Sequence, residues 1–310
     1  MVTILLFPGQ GVQKVGMAKD LAERFPQALE TLQRIDAALE MPLSELMWNG
    51  PEPELTLTHN AQPAILAHST AVLSVALERL GTVVGAAGHS LGEYSAWVAS
   101  GALDAAAAAR LVRRRGELMY QAGQARPGAM AAVLGLGTAD VENACAQASI
   151  DSDATVVAAN LNAPDQTVIS GDPAAVHRAS ELCRSAGAKR VVQLHVSGAF
   201  HSPLMQPAVA GLRAALTEAR FGQPAFPVIA NATAEFVASA PEAVASLAAQ
   251  LTAPVRWVES MLRLAERHPG ARWLELGPGS ALTGLLKRIV PDARCTALGT
   301  AEQLEAWMLA

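Results

Sequence analysis

The feature that constrains this chain most is a serine between two glycines, placed where a predicted strand gives way to a predicted helix. The sequence is Gly88-His89-Ser90-Leu91-Gly92, with the apolar run 83–87 before it and the helical stretch 93–99 after it. This pattern is typical of a nucleophile elbow, a sharp turn that exposes the serine hydroxyl. The glycines have a steric reason, because a side chain at either flank collides with the neighbouring strand or helix. By itself, however, the pentapeptide is equally compatible with an ordinary glycine-rich turn.

Strand and helix patterns alternate along most of the chain and predict its fold class. We expect strands at 2–7, 83–87, 226–229, 272–276 and 294–298, a loop at 51–60, and helices at 17–24, 27–39, 61–80, 93–99, 104–122, 203–219, 241–251, 255–267, 281–289 and the end of the chain. This order predicts an α/β fold with a mostly parallel sheet covered by helices on both faces. Asp104 is expected to cap the helix that follows it. The 310 residues, 51% of them hydrophobic, suffice for a large core or for a large domain with a smaller one inserted.

Between residues 127 and 194 the pattern changes to βαββαβ. The predicted strands are 130–136, 155–160, 166–170 and 189–194, and the predicted helices are 139–148 and 173–186. Two helices on an antiparallel sheet in this order indicate a ferredoxin-like arrangement. We therefore expect a discontinuous domain of residues 1–126 and 195–310, with residues 127–194 as an inserted subdomain.

Charge and cysteine content exclude several classes of function. The formal net charge is -5 and there is no long basic tract, which argues against nucleic acid as a partner. The three cysteines lack the spacing of a metal site, and their odd number favours a reducing compartment. The apolar opening 2–7 is too short to span a membrane and lacks the basic region of a signal peptide. We expect a cytoplasmic protein without a metal site and without membrane contact.

A serine hydroxyl is a weak nucleophile and needs a base, for which the chain offers seven histidines. His89 adjoins the serine, but neighbouring side chains on an elbow point in different directions, so it is expected to shape the pocket. His195 and His201 lie where the chain leaves the inserted subdomain, and loops at domain junctions are where binding residues collect. We choose His201 as the base, although its spacing is also compatible with a structural surface histidine.

Further motifs accompany the elbow along the chain, and their joint order is more specific than any one of them. They are Phe7-Pro8-Gly9-Gln10-Gly11, Arg115-Gly116, Gly198-Ala199-Phe200-His201-Ser202, Gln250 before Pro254-Val255, and Glu275-Leu276-Gly277-Pro278-Gly279. Together with Gly88-His89-Ser90-Leu91-Gly92-Glu93-Tyr94, they resemble the malonyl-CoA:acyl-carrier-protein transacylases of fatty acid and polyketide synthesis. The resemblance covers nearly the whole chain. It implies an α/β-hydrolase-like core with an inserted ferredoxin-like subdomain, in agreement with the pattern described above.

The resemblance also implies a catalytic role for each matching residue. Ser90 carries the acyl group as an ester, and His201 takes the serine proton and returns it to the leaving thiol. In this family a backbone carbonyl near the position of Gln250 orients the histidine, so no acidic third member is expected. The backbone N–H groups of Gln10 and Leu91 are expected to hold the oxyanion.

Substrate selection is implied at two further positions. Arg115 is expected to hold the free carboxylate of malonate, because a guanidinium can make two parallel bonds to a carboxylate. Phe200 matches the position that favours malonyl over methyl-branched units in this family. A solvated basic helix face is the alternative for Arg115, considered apart from the other motifs.

These implications predict a malonyltransferase with ping-pong kinetics. We expect malonyl-CoA and an acyl carrier protein as partners, no cofactor beyond the coenzyme A thioester that is the substrate, and a monomer. The alternatives are the acyltransferase subunit of a malonate decarboxylase, a serine acyl hydrolase, and a docking module that has lost activity. The Arg115 and Phe200 matches favour malonyl transfer over hydrolysis, and the intact set of Ser90, His201 and Gln10 argues against the inactive module.

Overall fold

Two β-sheets organise the chain in this computed structural model, which describes residues 2–309. Within that range there are ten strands: β1 Val2–Phe7, β2 Thr82–Gly88, β3 Ala129–Leu134, β4 Val156–Ala163, β5 Gln166–Gly171, β6 Arg190–Gln193, β7 Val228–Ile229, β8 Phe236–Val237, β9 Arg272–Leu276 and β10 Cys295–Leu298. The larger sheet has the order β10-β9-β1-β2-β7-β8, and all its neighbours are parallel except β7 and β8. The smaller sheet has the order β4-β5-β3-β6 and is antiparallel throughout.

Helices cover both sheets. In the described range they are α1 Lys19–Arg24, α2 Pro26–Leu39, α3 Leu43–Asn49, α4 Glu52–Leu55, α5 Thr58–Ala76, α6 Gly92–Ala99, α7 Ala105–Ala125, α8 Thr138–Ser152, α9 Pro173–Ser185, α10 Gln206–Glu218, α11 Ala240–Gln250, α12 Trp257–Arg267, α13 Ala281–Ile289 and α14 Ala301–Leu309. The long helix α5 is buried on nearly all sides, which fits the absence of Asp, Glu, Lys and Arg from its sequence. Helix α7 is amphipathic, and Asp104 caps it by accepting hydrogen bonds from two backbone N–H groups, which confirms the predicted cap.

The central strands place the elbow beside the N-terminal loop. Strand β1 is apolar and lies between β2 and β9, where a parallel strand is buried on both faces. Phe7, the last residue of β1, pairs with Gly88, the last residue of β2. Because parallel strands end at the same edge of a sheet, the loops that follow β1 and β2 meet there, and such an edge is where α/β proteins bind ligands.

The smaller sheet has its own apolar core with α8 and α9, formed by residues such as Val133, Cys145, Ile169 and Cys183. It is also joined to the rest of the molecule by backbone hydrogen bonds. Val255 N–H donates to Ala159 O at 2.8 Å, and Leu161 N–H donates to Val255 O at 2.9 Å. This contact fixes β4 against the segment between α11 and α12.

The predicted α/β fold, with a mostly parallel sheet and a separate antiparallel sheet, is confirmed, while several boundaries differ. The predicted loop 51–60 contains α4 and the first turn of α5, and α3 and β8 have no counterpart in the prediction. The predicted helix 255–267 begins only at Trp257, because Val255 pairs with Asn160 as a β-bridge. Strand β4 continues to Ala163, beyond the end of the predicted strand 155–160.

Candidate active site

The elbow serine has an unusual backbone conformation that its neighbours permit. Ser90 has a φ of 52°, in the left-handed region that few non-glycine residues adopt. A Cβ on Gly88 would lie 1.8 Å from the Gly92 carbonyl carbon, and one on Gly92 would lie 2.1 Å from Phe7 O. The strand, the turn and the helix therefore approach so closely that only glycine fits on either side of the serine.

The side chain of Asn231 holds this turn by two hydrogen bonds. Its Oδ1 accepts a hydrogen bond from Ser90 N–H at 2.7 Å, and its Nδ2 donates to Gly88 O at 2.8 Å. One buried side chain thus satisfies two backbone groups that the turn leaves without a regular partner. Sequence reasoning did not identify Asn231, because it lies after β7, far from the elbow along the chain.

Ser90 and His201 form a hydrogen-bonded pair. Ser90 Oγ lies 2.7 Å from His201 Nε2, and His201 Nδ1 lies 2.9 Å from the backbone oxygen of Gln250. A carbonyl can only accept, so the proton is on Nδ1 and the Nε2 lone pair faces the hydroxyl. Burial, with the charge of Arg115 as a second cause, lowers the pKa of His201 to about 3. The imidazole is therefore neutral near neutral pH and can accept the serine proton.

The Arg115 guanidinium lies beside the serine without an acidic partner. It donates to Ser90 Oγ at 3.2 Å, to Gln62 Oε1 at 2.8 Å and to Gln250 Oε1 at 2.9 Å, and it lies 5.5 Å from the centre of the Tyr94 ring. The residue is 1% exposed, and no carboxylate of residues 2–309 lies within ion-pairing distance of it. A buried cation held by neutral amide oxygens has no counter-charge of its own, and a carboxylate on a ligand can supply one.

The Gln250 side chain connects several of these groups. Its Nε2 donates to Ser90 O at 2.9 Å and to Glu93 Oε2 at 2.7 Å, while Asn231 N–H donates to the same carboxylate oxygen at 3.0 Å. Burial raises the pKa of Glu93 to about 7, although the hydrogen bonds from Asn231 and Gln250 lower it.

Sequence reasoning also did not identify Glu93 and Gln62 as site residues. The signal available for Glu93 was a carboxylate in the first turn of an otherwise apolar helix.

Two residues that line the cleft have backbone N–H groups without a hydrogen-bond partner in the described range. Gln10 and Leu91 both line the cleft above Ser90, and within residues 2–309 neither backbone N–H donates a hydrogen bond. Gly9 lets the loop approach, since a Cβ there would lie 2.4 Å from His89 O. Free N–H groups of this kind can stabilise an oxyanion.

The cleft has a volume of about 340 Å³ and lies between the two sheets. Met130 and Asn160 of the smaller sheet line it, and Phe200 and His195 line it beside His201. His89 also lines the cleft, but its Nε2 is hydrogen-bonded to Asn162 Oδ1 at 2.7 Å and its ring lies against Trp257. The structure thus brings together all eight residues proposed from the sequence, which are Gln10, His89, Ser90, Leu91, Arg115, Phe200, His201 and Gln250.

Two features are absent from the part of the chain that the structure describes. Residues 2–309 contain no group of three or more histidine, cysteine, aspartate or glutamate side chains arranged to hold a metal ion. In the same range, no helix combines the length and the apolar character needed to cross a membrane.

The sequence of the chain is similar to those of known proteins over nearly its whole length. The family described as "Acyl transferase domain" matches residues 4–303. Malonyl CoA-acyl carrier protein transacylase of Bacillus subtilis is 42% identical over 300 residues, which are 97% of this chain and 94% of the relative. The Haemophilus influenzae protein of the same name is 41% identical over 305 residues, which are 97% and 96% of the two chains.

Solved structures match equally well. An acyl carrier protein S-malonyltransferase from Vibrio cholerae superposes with a TM-score of 0.93 at 40% identity, covering 98% of this chain and 99% of the other. A malonyl-transacylase in complex with a type II polyketide synthase acyl-carrier protein also gives a TM-score of 0.93 at 40% identity, covering 99% and 98%.

Proposed function

The chain belongs to the acyl transferase domain family, and from this membership we propose that it transfers a malonyl group from malonyl-CoA to the phosphopantetheine thiol of an acyl carrier protein. The observation that carries the proposal is Arg115, a buried guanidinium 3.2 Å from Ser90 Oγ without an acidic partner. An acyl group with a free carboxylate, such as malonyl, supplies that partner. The names of the relatives at about 40% identity support the same substrate and acceptor.

In the first half-reaction Ser90 Oγ attacks the thioester carbonyl while His201 Nε2 takes the hydroxyl proton. The Oγ–C bond forms, and the negative charge on the carbonyl oxygen is held by the N–H groups of Gln10 and Leu91. When the C–S bond breaks, His201 gives its proton to the coenzyme A sulfur. The backbone oxygen of Gln250 keeps the ring oriented and stabilises its transient positive charge.

The second half-reaction reverses these steps with a different thiol. The phosphopantetheine thiol loses its proton to His201 and attacks the ester, and Ser90 leaves with the proton returned. Because one dyad serves both directions, ping-pong kinetics are expected. Arg115 holds the malonyl carboxylate throughout, and Phe200 beside His201 limits the space next to the reacting acyl group.

We propose further that no metal or organic cofactor is needed, since the dyad moves the proton and the thioester supplies the activated acyl group. The βαββαβ order and the separate core support a ferredoxin-like subdomain of residues 127–194. It is inserted in an α/β-hydrolase-like domain of residues 1–126 and 195–310. We also propose a cytoplasmic monomer, in which the three cysteines remain free thiols as a reducing compartment favours.

Intact-protein mass spectrometry tests this function. Incubation with malonyl-CoA should add one malonyl group to the wild-type protein and none to Ser90→Ala. Ser95→Ala is the matched control, since Ser95 is a buried serine on α6, the helix that follows the turn, and its loss should leave labelling intact. A malonyl adduct on Ser90→Ala would contradict the assignment of the nucleophile.

The same experiment separates a transferase from a hydrolase. The adduct should persist for many turnover times in buffer and disappear within one turnover when a holo acyl carrier protein is added. Rapid release of free malonate without a thiol acceptor would instead favour the serine acyl hydrolase.

A further inference from the structure

Glu93 is a fully buried carboxyl three residues after Ser90, and no step of the proposed reaction uses it. Its Oε2 accepts hydrogen bonds from Gln250 Nε2 at 2.7 Å and from Asn231 N–H at 3.0 Å. Its other oxygen has no hydrogen-bond partner among the described residues. Burying a carboxyl is unfavourable unless its hydrogen bonds compensate. The effect of Glu93 on the site therefore depends on the two donors that it accepts from, Gln250 Nε2 and Asn231 N–H.

The Gln250 side-chain amide has one orientation that agrees with all its neighbours. Its Nε2 faces two acceptors, Glu93 Oε2 and Ser90 O, and its Oε1 faces the donor Arg115 Nη2 at 2.9 Å. If the amide turned over, its oxygen would face two acceptors and its NH₂ group would face the guanidinium. Glu93, together with Ser90 O, therefore favours the orientation in which Gln250 can accept from Arg115.

The plane of the Arg115 guanidinium is set by this contact and by one other. Gln62 Oε1 accepts from Nη1, and Gln250 Oε1 accepts from Nη2, which also points at Ser90 Oγ. With these two amide oxygens in place, the guanidinium faces the acyl site. Without the Gln250 acceptor, Nη2 would keep only its longer contact with the hydroxyl.

We infer that Glu93 is a positioning residue which, through the Gln250 side-chain amide, directs Arg115 toward the carboxylate of the acyl group. This inference rests on the proposed function, because it concerns selection of an acyl group that carries a carboxylate. Glu93 itself does not contact the substrate. Its effect is therefore expected in the ratio between kcat/KM for malonyl-CoA and kcat/KM for an acyl-CoA without a carboxylate.

The experiment measures kcat/KM for malonyl-CoA and for acetyl-CoA and compares their ratio among variants. A general disturbance of His201, whose Nδ1 bonds the backbone of Gln250, would lower both values together and leave the ratio unchanged. Glu93→Ala removes the acceptor and should lower the ratio by about tenfold, the effect of one hydrogen bond to a charged group. Glu93→Gln keeps an accepting oxygen and should restore most of the ratio.

A second variant tests the route through the amide. Gln250→Met removes the amide but keeps the backbone oxygen that orients His201, so it should lower the ratio to a similar extent. The double variant Glu93→Ala with Gln250→Met should lower it no further, because both changes break one link. Arg115→Ala is the reference for complete loss of carboxylate selection. Val98→Ala, a truncation on the same helix outside this network, should leave the ratio unchanged.

The inference is overturned if Gln250→Met keeps the wild-type ratio, if the two single effects add in the double variant, or if Glu93→Gln loses as much as Glu93→Ala. The Gln250→Met measurement decides the matter even if Glu93→Ala does not fold. A wild-type protein that shows no preference for malonyl would contradict the proposed function as well, whereas a preference kept by the variants contradicts the inference alone.

Discussion

At the scale of single residues, His195 and His201 both line the cleft, and they differ in their contact with Ser90. His201 Nε2 lies 2.7 Å from Ser90 Oγ and its other nitrogen is held by a backbone oxygen, while His195 lines the cleft without a hydrogen bond to Ser90. A general base must be within hydrogen-bonding reach of the proton it takes. His201 meets that condition in the unacylated protein.

We predict that His201→Ala slows both acylation by malonyl-CoA and transfer to the carrier thiol by about 10²–10⁴-fold, the usual contribution of general acid–base catalysis. His195→Ala, as the matched change at the neighbouring histidine, should cost much less. Rapid-quench measurement of each half-reaction provides the test. A larger loss for His195→Ala than for His201→Ala would mean that the base has been assigned to the wrong residue.

At the scale of elements, the elbow depends on how closely α6 approaches the end of β1. Gly92 begins α6, and a Cβ at this position would lie 2.1 Å from Phe7 O and 2.8 Å from Pro8 O, both of them backbone atoms. Gly284 lies inside α13, where an added Cβ would meet no atom within 4 Å. We therefore expect substitution by alanine to destabilise the protein at Gly92 and to stabilise it at Gly284.

Gly92→Ala should separate α6 from the sheet, displace Ser90 and lower the melting temperature together with the rate of Ser90 labelling. Gly284→Ala should raise the free energy of unfolding by about 0.5–1 kcal/mol, because alanine favours the helix and fits the open space. Thermal unfolding followed by circular dichroism, with malonyl labelling on the same samples, checks both. Equal behaviour of the two variants would show that α6 can move away from β1 without loss.

At the scale of the whole molecule, buried histidines link stability to pH. His68 on α5 is 3% exposed, and its Nε2 lies 2.8 Å from Gly299 O in the loop after β10. Burial lowers the pKa of His68 from 6.5 to about 4. Between these two values the unfolded chain binds a proton that the folded protein does not, so stability falls as the pH decreases through this range.

We expect the wild-type protein to lose about 2 kcal/mol through His68 between pH 7.5 and pH 5, as a shift of this size implies. His201 acts with the same sign, and Glu93, whose pKa is raised to about 7, acts with the opposite sign. His68→Gln removes only the His68 contribution, so its urea-unfolding free energy should fall less over this pH interval. His177→Gln is the control, since that side chain is 75% exposed. An equal pH response of all three proteins would contradict the assignment to His68.

The sequence by itself determined the features that depend on neighbouring residues. Apolar runs, helical periodicity and the Asp104 cap act over a few positions, and they predicted the strands β1 and β9 and the order of the inserted βαββαβ segment. The elbow was recognisable because the glycines on either side of Ser90 stand where a side chain would collide with the neighbouring backbone. The roles of Gln10 and Arg115 were available only because separated motifs resemble a known family, whereas His201 was chosen from its place at the predicted domain junction.

The tertiary structure alone decided how distant groups meet. Asn231 reaches the elbow from after β7, and Gln62 reaches Arg115 from the neighbouring helix α5, neither with any local signal in the sequence. Val255 pairs with β4 instead of starting a helix, because a long-range backbone partner outweighs its local preference. Glu93 looks like an ordinary carboxylate in the first turn of a helix until folding buries it against Gln250. Hydrogen bonds in a low-dielectric interior depend on separation in space, and a linear pattern does not contain that separation.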